Sequence, residues 1–311
     1  MRRTASTFTA RVLLHLGLRK LKIIRWLFQR VASKLGFLVI ARAHNGSNRN
    51  NDSDPRLRVS SPIDDLSDQE LSFVNAALPW ASYIVDRHGR VFGNAYSAAK
   101  RNQASLVPDP RIEALAAKVP LAGKSVLELG CFEGNHTVAL AGFGAKVIAV
   151  DARIENVCKT LVRCGLMGQA VTAFCIDLEH GLARRKQISA NIAHHVGVLY
   201  HLTDPVGHLS ELAGIIDEHI WLDTHIAADH WPLKKYPDAE QYSYFHYREP
   251  GRADPFAGTR DHAKWLPLGD LKRLLAQCGF TQCEVIEQRE ERNGPRVLLF
   301  ASKSLHTGSG T

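Results

Sequence analysis

A strand, a glycine turn, a helix and a second strand follow one another between residues 123 and 152, and this unit constrains the fold most. The segment reads GKSVLELGCFEGNHTVALAGFGAKVIAVDA, in which two apolar runs flank a glycine turn and a longer amphipathic stretch. The pattern predicts a βαβ unit, whose two parallel strands are joined by a helix on one face of the sheet. We expect the second strand to end at Asp151.

The glycine turn excludes a dinucleotide site. A G-x-G-x-x-G turn needs its middle glycine so that the backbone can approach a pyrophosphate. Here Phe132 stands between Gly130 and Gly134, at the place of that middle glycine. Glu128, two residues before Gly130, would repel a pyrophosphate but can accept hydrogen bonds or pair with a cation. A sulfonium-bearing amino acid with a free ammonium group fits this turn better.

The same turn resembles the first motif of the class I S-adenosylmethionine-dependent methyltransferases, which runs from an acid through a small-residue turn to a second glycine. The resemblance continues at Asp151, where the family places an acid on the ribose, and at Asp177, where it places one on the adenine amine. Phe132 departs from the pattern. The resemblance implies S-adenosylmethionine as cofactor. The residues it implies for cofactor binding are Glu128, Gly130, Cys131, Gly134, Asp151, Ala152, Asp177, Leu178 and Gly197.

A second resemblance lies in residues 194–213, HHVGVLYHLTDPVGHLSELA. This segment is similar to the one that follows the fourth strand in methyltransferases related to the tRNA wobble-uridine-modifying enzymes and their small-molecule relatives. Residues 78–94 and 120–130 resemble what those relatives place before their first motif. The likeness covers about residues 70–303, and Asn191 stands where an acid is expected before the fourth strand.

The fold that these resemblances imply is α/β, a Rossmann-like, mostly parallel sheet of seven strands with helices on both faces. In such a sheet the ligand crevice lies at the carboxyl ends of the strands. We expect a helix from Leu268 that stops at Gly279, and a closing hairpin of residues 284–288 and 297–302. The side chains expected along the crevice are Glu128, Asp151, Asp177, Tyr200 and Asp223, the last of which should end the fifth strand.

The segment of about residues 224–265 is too long for an ordinary connection and too aromatic for a disordered linker. We interpret this insertion as a lid over the substrate, and the alternative is a structural flap that covers the sheet edge. Histidines are frequent in and before it, but their spacing includes no HExxH and pairs no two ligands beside a carboxylate. The sequence therefore predicts no metal.

The chemistry expected of this family needs a base when the acceptor is a hydroxyl. His201 is the first candidate for that base, and Tyr200 is expected to orient the acceptor. The alternative is that His201 only holds its loop through a backbone hydrogen bond. His225 and His262 are weaker candidates for the base.

Residues 1–44 form a separate segment. The first 51 residues hold 11 Lys and Arg and no acid, whereas the remainder holds 28 basic and 31 acidic residues. The pattern predicts a basic amphipathic helix whose longest uncharged run near the end, Leu35 to Ala41, is too short to span a bilayer, followed by a linker over residues 45–65. Residues 1–42 suit an anionic membrane surface. A transit peptide, an RNA-contacting arm and a helix docked on its own domain stay open as alternatives.

These observations predict a methyltransferase domain over residues 66–303 with a flexible tail at 304–311. We expect a cytoplasmic protein, or one at the inner face of a membrane, that methylates a small-molecule acceptor or a glycan- or lipid-linked one. The alternatives are an RNA-modifying, tRNA-directed methyltransferase and a cofactor-binding scaffold without activity. The net charge of the remainder disfavours RNA, because surfaces that follow phosphates need clustered cations.

Overall fold

The computed structural model of the chain describes residues 61–96 and 103–304. The described residues divide into two units, with the boundary between Pro79 and Trp80. In the first unit a 3₁₀ turn, Pro62–Asp65, precedes helix α1, Asp68–Ala77. Ser67 and Glu70 cap α1 reciprocally: the Glu70 amide donates to Ser67 Oγ at 3.3 Å, and the Ser67 amide donates to Glu70 Oε2 at 3.0 Å.

The expected basic helix of residues 1–44 lies outside the described residues, as do most of the linker and all but the first residue of the tail. Pro62–Asp65, placed in the linker, forms a 3₁₀ turn. The domain boundaries drawn from the sequence stay predictions. Among the described helices, none is long and apolar enough to cross a membrane.

The second unit begins with a hairpin of β1, Tyr83–Val85, and β2, Val91–Gly93, followed by helix α2, Pro110–Lys118. The βαβ unit follows as β3, Ser125–Leu129, α3, Asn135–Gly142, and β4, Lys146–Asp151, which ends where the sequence predicted. Next come α4, Ile154–Leu166, β5, Thr172–Cys175, β6, Ala190–Val196, α5, Pro205–Ala213, and β7, Ile216–His225. The chain closes with β8, Lys234–Lys235, β9, Ser243–Arg248, β10, His262–Trp265, α6, Leu268–Gln277, β11, Gln282–Glu291, and β12, Gly294–Ser302.

Seven strands form the central sheet in the order β11-β12-β7-β6-β3-β4-β5. The five strands from β7 to β5 are parallel, and β12 and β11 are antiparallel at one edge. The α/β, Rossmann-like fold predicted from the sequence is confirmed. The strand order reverses between β3 and β6, so a crevice opens at their carboxyl ends, where ligands bind in sheets of this kind.

Both faces of the sheet are buried. Val126 and Leu127 are adjacent in β3, and they belong to two different apolar clusters. Successive side chains of a strand point to opposite faces, so each cluster packs one face of the sheet against its helices. The apolar runs that predicted the strands are continuous for this reason.

Helix α6 and strand β7 end at residues other than those expected from the sequence. Helix α6 stops at Gln277, and Gly279 follows with φ +92°. Strand β7 does not end at Asp223 but continues to His225, because Arg296 and Val297 of β12 pair with His225 and Thr224. The expectation for Asp223 is wrong in this respect: its side chain is fully buried rather than on the rim of the crevice.

The insertion carries a small antiparallel sheet of its own, in the order β10-β9-β8. One face of this sheet packs inward, where Phe245, Tyr247 and Trp265 form an aromatic cluster with Trp231. Tyr247 and Trp265 stack with ring centroids 4.2 Å apart. The backbone amide of Lys264 donates to the Leu202 carbonyl at 3.0 Å, which joins the small sheet to the segment after β6.

Candidate functional site

A cavity of about 560 Å³ opens at the carboxyl ends of β3, β4 and β6. Its wall is built from the glycine turn, the segments after β4, β5 and β6, residues 255–259 of the insertion, and the hairpin of β11 and β12. Residues named from the sequence that line it are Glu128, Gly130, Cys131, Asp151, Ala152, Asp177, Leu178, Gly197, Tyr200 and His201. Parts of the sequence that lie far apart therefore meet in one place.

Gly134 is the predicted site residue that does not line this cavity. It begins α3 with φ +81°, and a Cβ there would lie 2.9 Å from the Cα of Thr160. A glycine is required at this position because any side chain would collide with α4, on which the turn packs. Gly130, with φ +68°, does line the cavity, and a Cβ there would lie 2.4 Å from Val198 Cγ2.

Phe132, the departure from the family pattern, also has a left-handed backbone, with φ +50°. Its amide donates to Asp151 Oδ2 at 3.0 Å, which holds a conformation that a bulky residue rarely adopts. Its ring lies 5.3 Å from that of Phe256 in the insertion. The turn keeps its shape without the middle glycine, and the phenyl ring ties it to the insertion.

The carboxylate of Asp151 is buried and held from three directions. Besides Phe132, the amide of Arg153 donates to Oδ1 at 2.8 Å and the Asn156 side chain donates to the same atom at 3.1 Å. Burial raises the pKa of Asp151, and these hydrogen bonds oppose the rise. The group is thus fixed at the end of β4, facing the cavity.

Glu128 is buried at the end of β3, where it accepts a hydrogen bond from Thr137 Oγ1 at 2.5 Å. Burial raises its pKa to about 8. The carboxyl group is therefore mostly protonated at neutral pH until a cation approaches it.

Glu128 also lies near two histidines, His136 and His194. One ligand atom from each of the three falls within 4.8 Å of the others, a spacing that a metal ion could use. His194 is buried with neither ring nitrogen hydrogen-bonded to a described residue, and burial lowers its pKa. A guanidinium nitrogen of Arg111 lies 3.4 Å from His136 Nε2, and its charge opposes a cation there. The prediction that no metal is bound stays a prediction.

His201 is paired with a carboxylate that the insertion supplies. Its Nδ1 lies 2.8 Å from Glu249 Oε1, and the two side chains are 18% and 3% exposed. The backbone amide of His201 also donates to the Val198 carbonyl at 2.9 Å, so the alternative, that His201 only holds its loop through a backbone hydrogen bond, stays open. His225 and His262 do not line the cavity: His225 contacts the Pro295 carbonyl at 3.3 Å, and His262 pairs with Asp261 at 2.8 Å.

Four arginines of the cavity wall were not expected from the sequence: Arg153, described below, and Arg111, Arg289 and Arg296. The last three approach the buried carboxylate of Asp223: Arg296 hydrogen-bonds to it, Arg289 Nη2 lies at 3.0 Å and Arg111 Nη1 at 3.7 Å. Burial opposes the charge of Arg296, yet neighbouring Tyr200, Asp223 and Glu291 raise its pKa overall. Arg289 and Arg296 flank the hairpin turn and could have been found from it, whereas no spacing points to Arg111.

The insertion closes one side of the cavity through Arg153. Its guanidinium donates to the carbonyls of Arg252 and Asp254 at 3.0 Å and to that of Gly258 at 3.3 Å. Arg260 reaches Asp177 at 3.3 Å. The insertion is thus fastened to the ends of β4 and β5, beside Asp151 and Asp177.

Comparison with known proteins gives a family and a set of relatives. A family profile described as a methyltransferase domain matches residues 100–285. The tRNA U34 carboxymethyltransferase of Marinobacter nauticus is 35% identical over 98 residues, which cover 31% of this chain and 29% of that protein. The enzyme of the same name from Methylococcus capsulatus is 34% identical over 102 residues, covering 32% and 31%. The chain thus matches less than a third of the length of these curated relatives.

Among solved structures, the N-terminal domain of EvdMO1, determined in the presence of SAH and D-fucose, is similar with a TM-score of 0.60. The two are 24% identical, and the match covers 73% of this chain and 92% of that one. At this identity the likeness is one of fold.

Proposed function

The chain belongs to the methyltransferase-domain family and is an S-adenosylmethionine-dependent methyltransferase, and from this premise we propose that it methylates an acceptor hydroxyl beside His201. The observation that carries the proposal is the pairing of His201, a residue of the cavity wall, with the buried carboxylate of Glu249. A histidine whose second nitrogen is held by a buried carboxylate is the arrangement that general-base catalysis needs.

The cavity fits the cofactor in the chemistry of its donors. We assign the ammonium group of the cofactor to Glu128, its ribose hydroxyls to Asp151 and its adenine amine to Asp177, all of which line the cavity. Gly130, Cys131, Ala152, Leu178 and Gly197 would form the walls between them. When bound, the cofactor supplies an electrophilic methyl group. The contribution of the protein is then to align the acceptor and to accept its proton.

We assign to His201 the role of the general base that accepts the proton of the acceptor hydroxyl. With Nδ1–H donated to Glu249, the neutral ring presents Nε2 as the acceptor of a hydroxyl proton, and the carboxylate stabilises the imidazolium that forms. Tyr200 is assigned the orientation of the acceptor. Its ring lies 4.1 Å from that of His201 and 5.2 Å from the guanidinium carbon of Arg296.

The acceptor proposed first is a small molecule, or the end of a glycan or lipid-linked chain. The cavity is of the size that holds a cofactor and one further ring-sized group. Transfer of label from methyl-labelled S-adenosylmethionine to a panel of sugars and lipid-linked sugars tests this. A location at the inner face of a membrane, through residues 1–42, is part of the same proposal and rests on the sequence pattern alone.

A second candidate is transfer to RNA, as the name of the curated relatives describes for them. The arginines of the cavity wall favour this candidate if the transferred group is a carboxymethyl, because a guanidinium can bind its carboxylate. A Cβ on Gly197 would lie 3.7 Å from the Tyr200 hydroxyl and 3.8 Å from Arg296 Nη2. The carboxylate of a transferred carboxymethyl group at this position could therefore accept hydrogen bonds from both Tyr200 and Arg296. Arg296→Lys keeps a charge for Asp223 but loses the fork that binds a carboxylate. It should impair transfer from a carboxymethyl sulfonium donor much more than transfer from S-adenosylmethionine.

A further inference from the structure

The small sheet of the insertion has a second face, opposite its aromatic cluster, made of alternate residues from three strands. Lys234 pairs with Tyr244, His246 with Lys264, and Arg248 with His262. Paired residues of neighbouring strands point to the same side, and the aromatic residues between them point inward. The members of this basic face are Lys234, Tyr244, His246, Arg248, His262 and Lys264.

The basic face concentrates positive charge. Lys234, Arg248 and Lys264 form no ion pair with any carboxylate among the residues described, and the carboxylate paired with this face is Asp261, on His262 at 2.8 Å. The net charge of residues 52–311 is negative, but phosphate contacts depend on local clusters. The negative net charge of residues 52–311 therefore does not exclude RNA from this face.

Rings lie among these cations. The rings of His246 and His262 stack with centroids 5.0 Å apart and an angle of 18°. Lys264 Nζ lies 4.3 Å from the centroid of the buried Tyr236 ring and 5.2 Å from that of Tyr244. The Tyr244 ring is half-buried: one side packs against the larger apolar cluster, and the rest is exposed on the basic face. Cations with interleaved aromatic rings on a sheet face are typical of surfaces that bind single-stranded nucleic acid, where bases stack and phosphates pair.

The basic face adjoins the cavity through two short connections. Arg248 belongs to the face, and the next residue, Glu249, holds His201 at 2.8 Å. The amide of Lys264 donates to Leu202, a residue of the cavity wall. A strand bound on this face would thus run beside the residues assigned to catalysis.

We infer that the basic face of the insertion binds single-stranded RNA and presents a nucleotide of that strand to the cavity. The partner is identified by its chemistry, a flexible polyanion with exposed bases. The inference rests on the second candidate function, transfer to RNA, and supplies the binding surface that this candidate requires.

The experiment is fluorescence anisotropy, in which the full chain is titrated into a labelled oligouridylate of twelve nucleotides at several salt concentrations. Lys234→Gln combined with Lys264→Gln should weaken binding about tenfold and lower the salt-dependence slope by about 1.4, since each phosphate contact contributes about 0.7 for single strands. Tyr244→Leu keeps apolar bulk but loses the ring face, and it should weaken binding about fivefold or more without changing the slope.

The matched control is Arg184→Gln combined with Lys186→Gln, two exposed cations on the 3₁₀ turns before β6. Comparing two doubly substituted full chains cancels the contribution of the basic N-terminal segment. An equal loss in both pairs would overturn the inference, as would an oligouridylate that does not bind. If Lys234→Gln combined with Lys264→Gln weakens binding to anionic phosphatidylserine vesicles as much as it weakens binding to the oligouridylate, the face would be assigned to a membrane instead. None of these outcomes affects hydroxyl methylation, which is measured separately with labelled cofactor.

Discussion

Glu249 Oε1 lies 2.8 Å from His201 Nδ1, although 48 positions separate the two residues in the chain. His201 follows a strand of the central sheet, whereas Glu249 follows β9 of the insertion. The insertion therefore contributes the partner of the proposed base, and its residues 255–259 line the cavity. This pair supports the interpretation of the insertion as a lid over the substrate, which stays a prediction.

The first prediction concerns this pair. His201→Ala should lower turnover about 100-fold or more, the smaller factor expected for a general base. Glu249→Gln should lower turnover less, because the ring remains but loses the carboxylate that stabilises its protonated form. The measurement is kcat with a known acceptor, together with the cofactor Kd and the melting temperature, which should stay near wild type.

Unchanged turnover in His201→Ala would show that no base acts here, and unfolding would show a structural role. His225 and His262 do not take over the role in either case, since neither lines the cavity.

The second prediction concerns cofactor binding. Asp151→Ala should abolish detectable binding of S-adenosylmethionine in calorimetry, because it removes a carboxylate at the cavity wall and the acceptor of the Phe132 amide. Gly130→Val should do the same, since its side chain would collide with Val198. Asp261→Ala, an exposed carboxylate outside the cavity, is the control. Equal affinity in all three variants and wild type would contradict the assignment.

The third prediction is a pH dependence of stability that arises from Glu128. Its pKa is about 8 in the folded chain, above the usual 4.5, so the folded state holds a proton that the unfolded state has lost. The stability this group contributes is complete below about pH 4.5 and is lost as pH rises through about 8, at up to about 1.4 kcal/mol per unit.

Glu128→Gln does not titrate and keeps an acceptor for Thr137. Urea unfolding without cofactor should therefore show the variant gaining stability relative to wild type between pH 5 and pH 8. Parallel curves for the two proteins over that range would be inconsistent with a buried, protonated Glu128.

The fourth prediction concerns the fastening of the insertion. Arg153→Gln removes the guanidinium that holds the carbonyls of Arg252, Asp254 and Gly258. We expect faster proteolysis within residues 251–260 and weaker cofactor binding, because Arg153 is buried next to Asp151 and Ala152. Arg184→Gln, an exposed arginine away from the insertion, serves as the comparison. Unchanged proteolysis in Arg153→Gln would mean that other contacts hold the segment.

The sequence could predict the sheet and its acidic strand ends because those features are local. A buried parallel strand is a continuous apolar run, and Glu128, Asp151 and Asp177 each follow one. The partners of these groups could not be read in this way, since Glu249 and Arg111 lie in segments whose position depends on the tertiary fold. Asp223 shows the same limit: its strand is lengthened by pairing with β12, which turns an expected rim residue into the buried centre of three arginines.

The last prediction concerns residues 1–42, which lie outside the described part of the chain. Their cations and apolar stripe predict attachment to anionic membrane, with each cation near the surface contributing about 1 kcal/mol. In vesicle co-sedimentation at low salt, the full chain should pellet with phosphatidylserine-containing vesicles, and a chain starting at Asp54 should stay in the supernatant. Both should bind S-adenosylmethionine equally, because the lining of the cavity begins at Ser105. Neutral vesicles are the control. Equal sedimentation of the two chains would remove the membrane interpretation, and weaker cofactor binding by the shorter chain would favour a helix docked on its own domain.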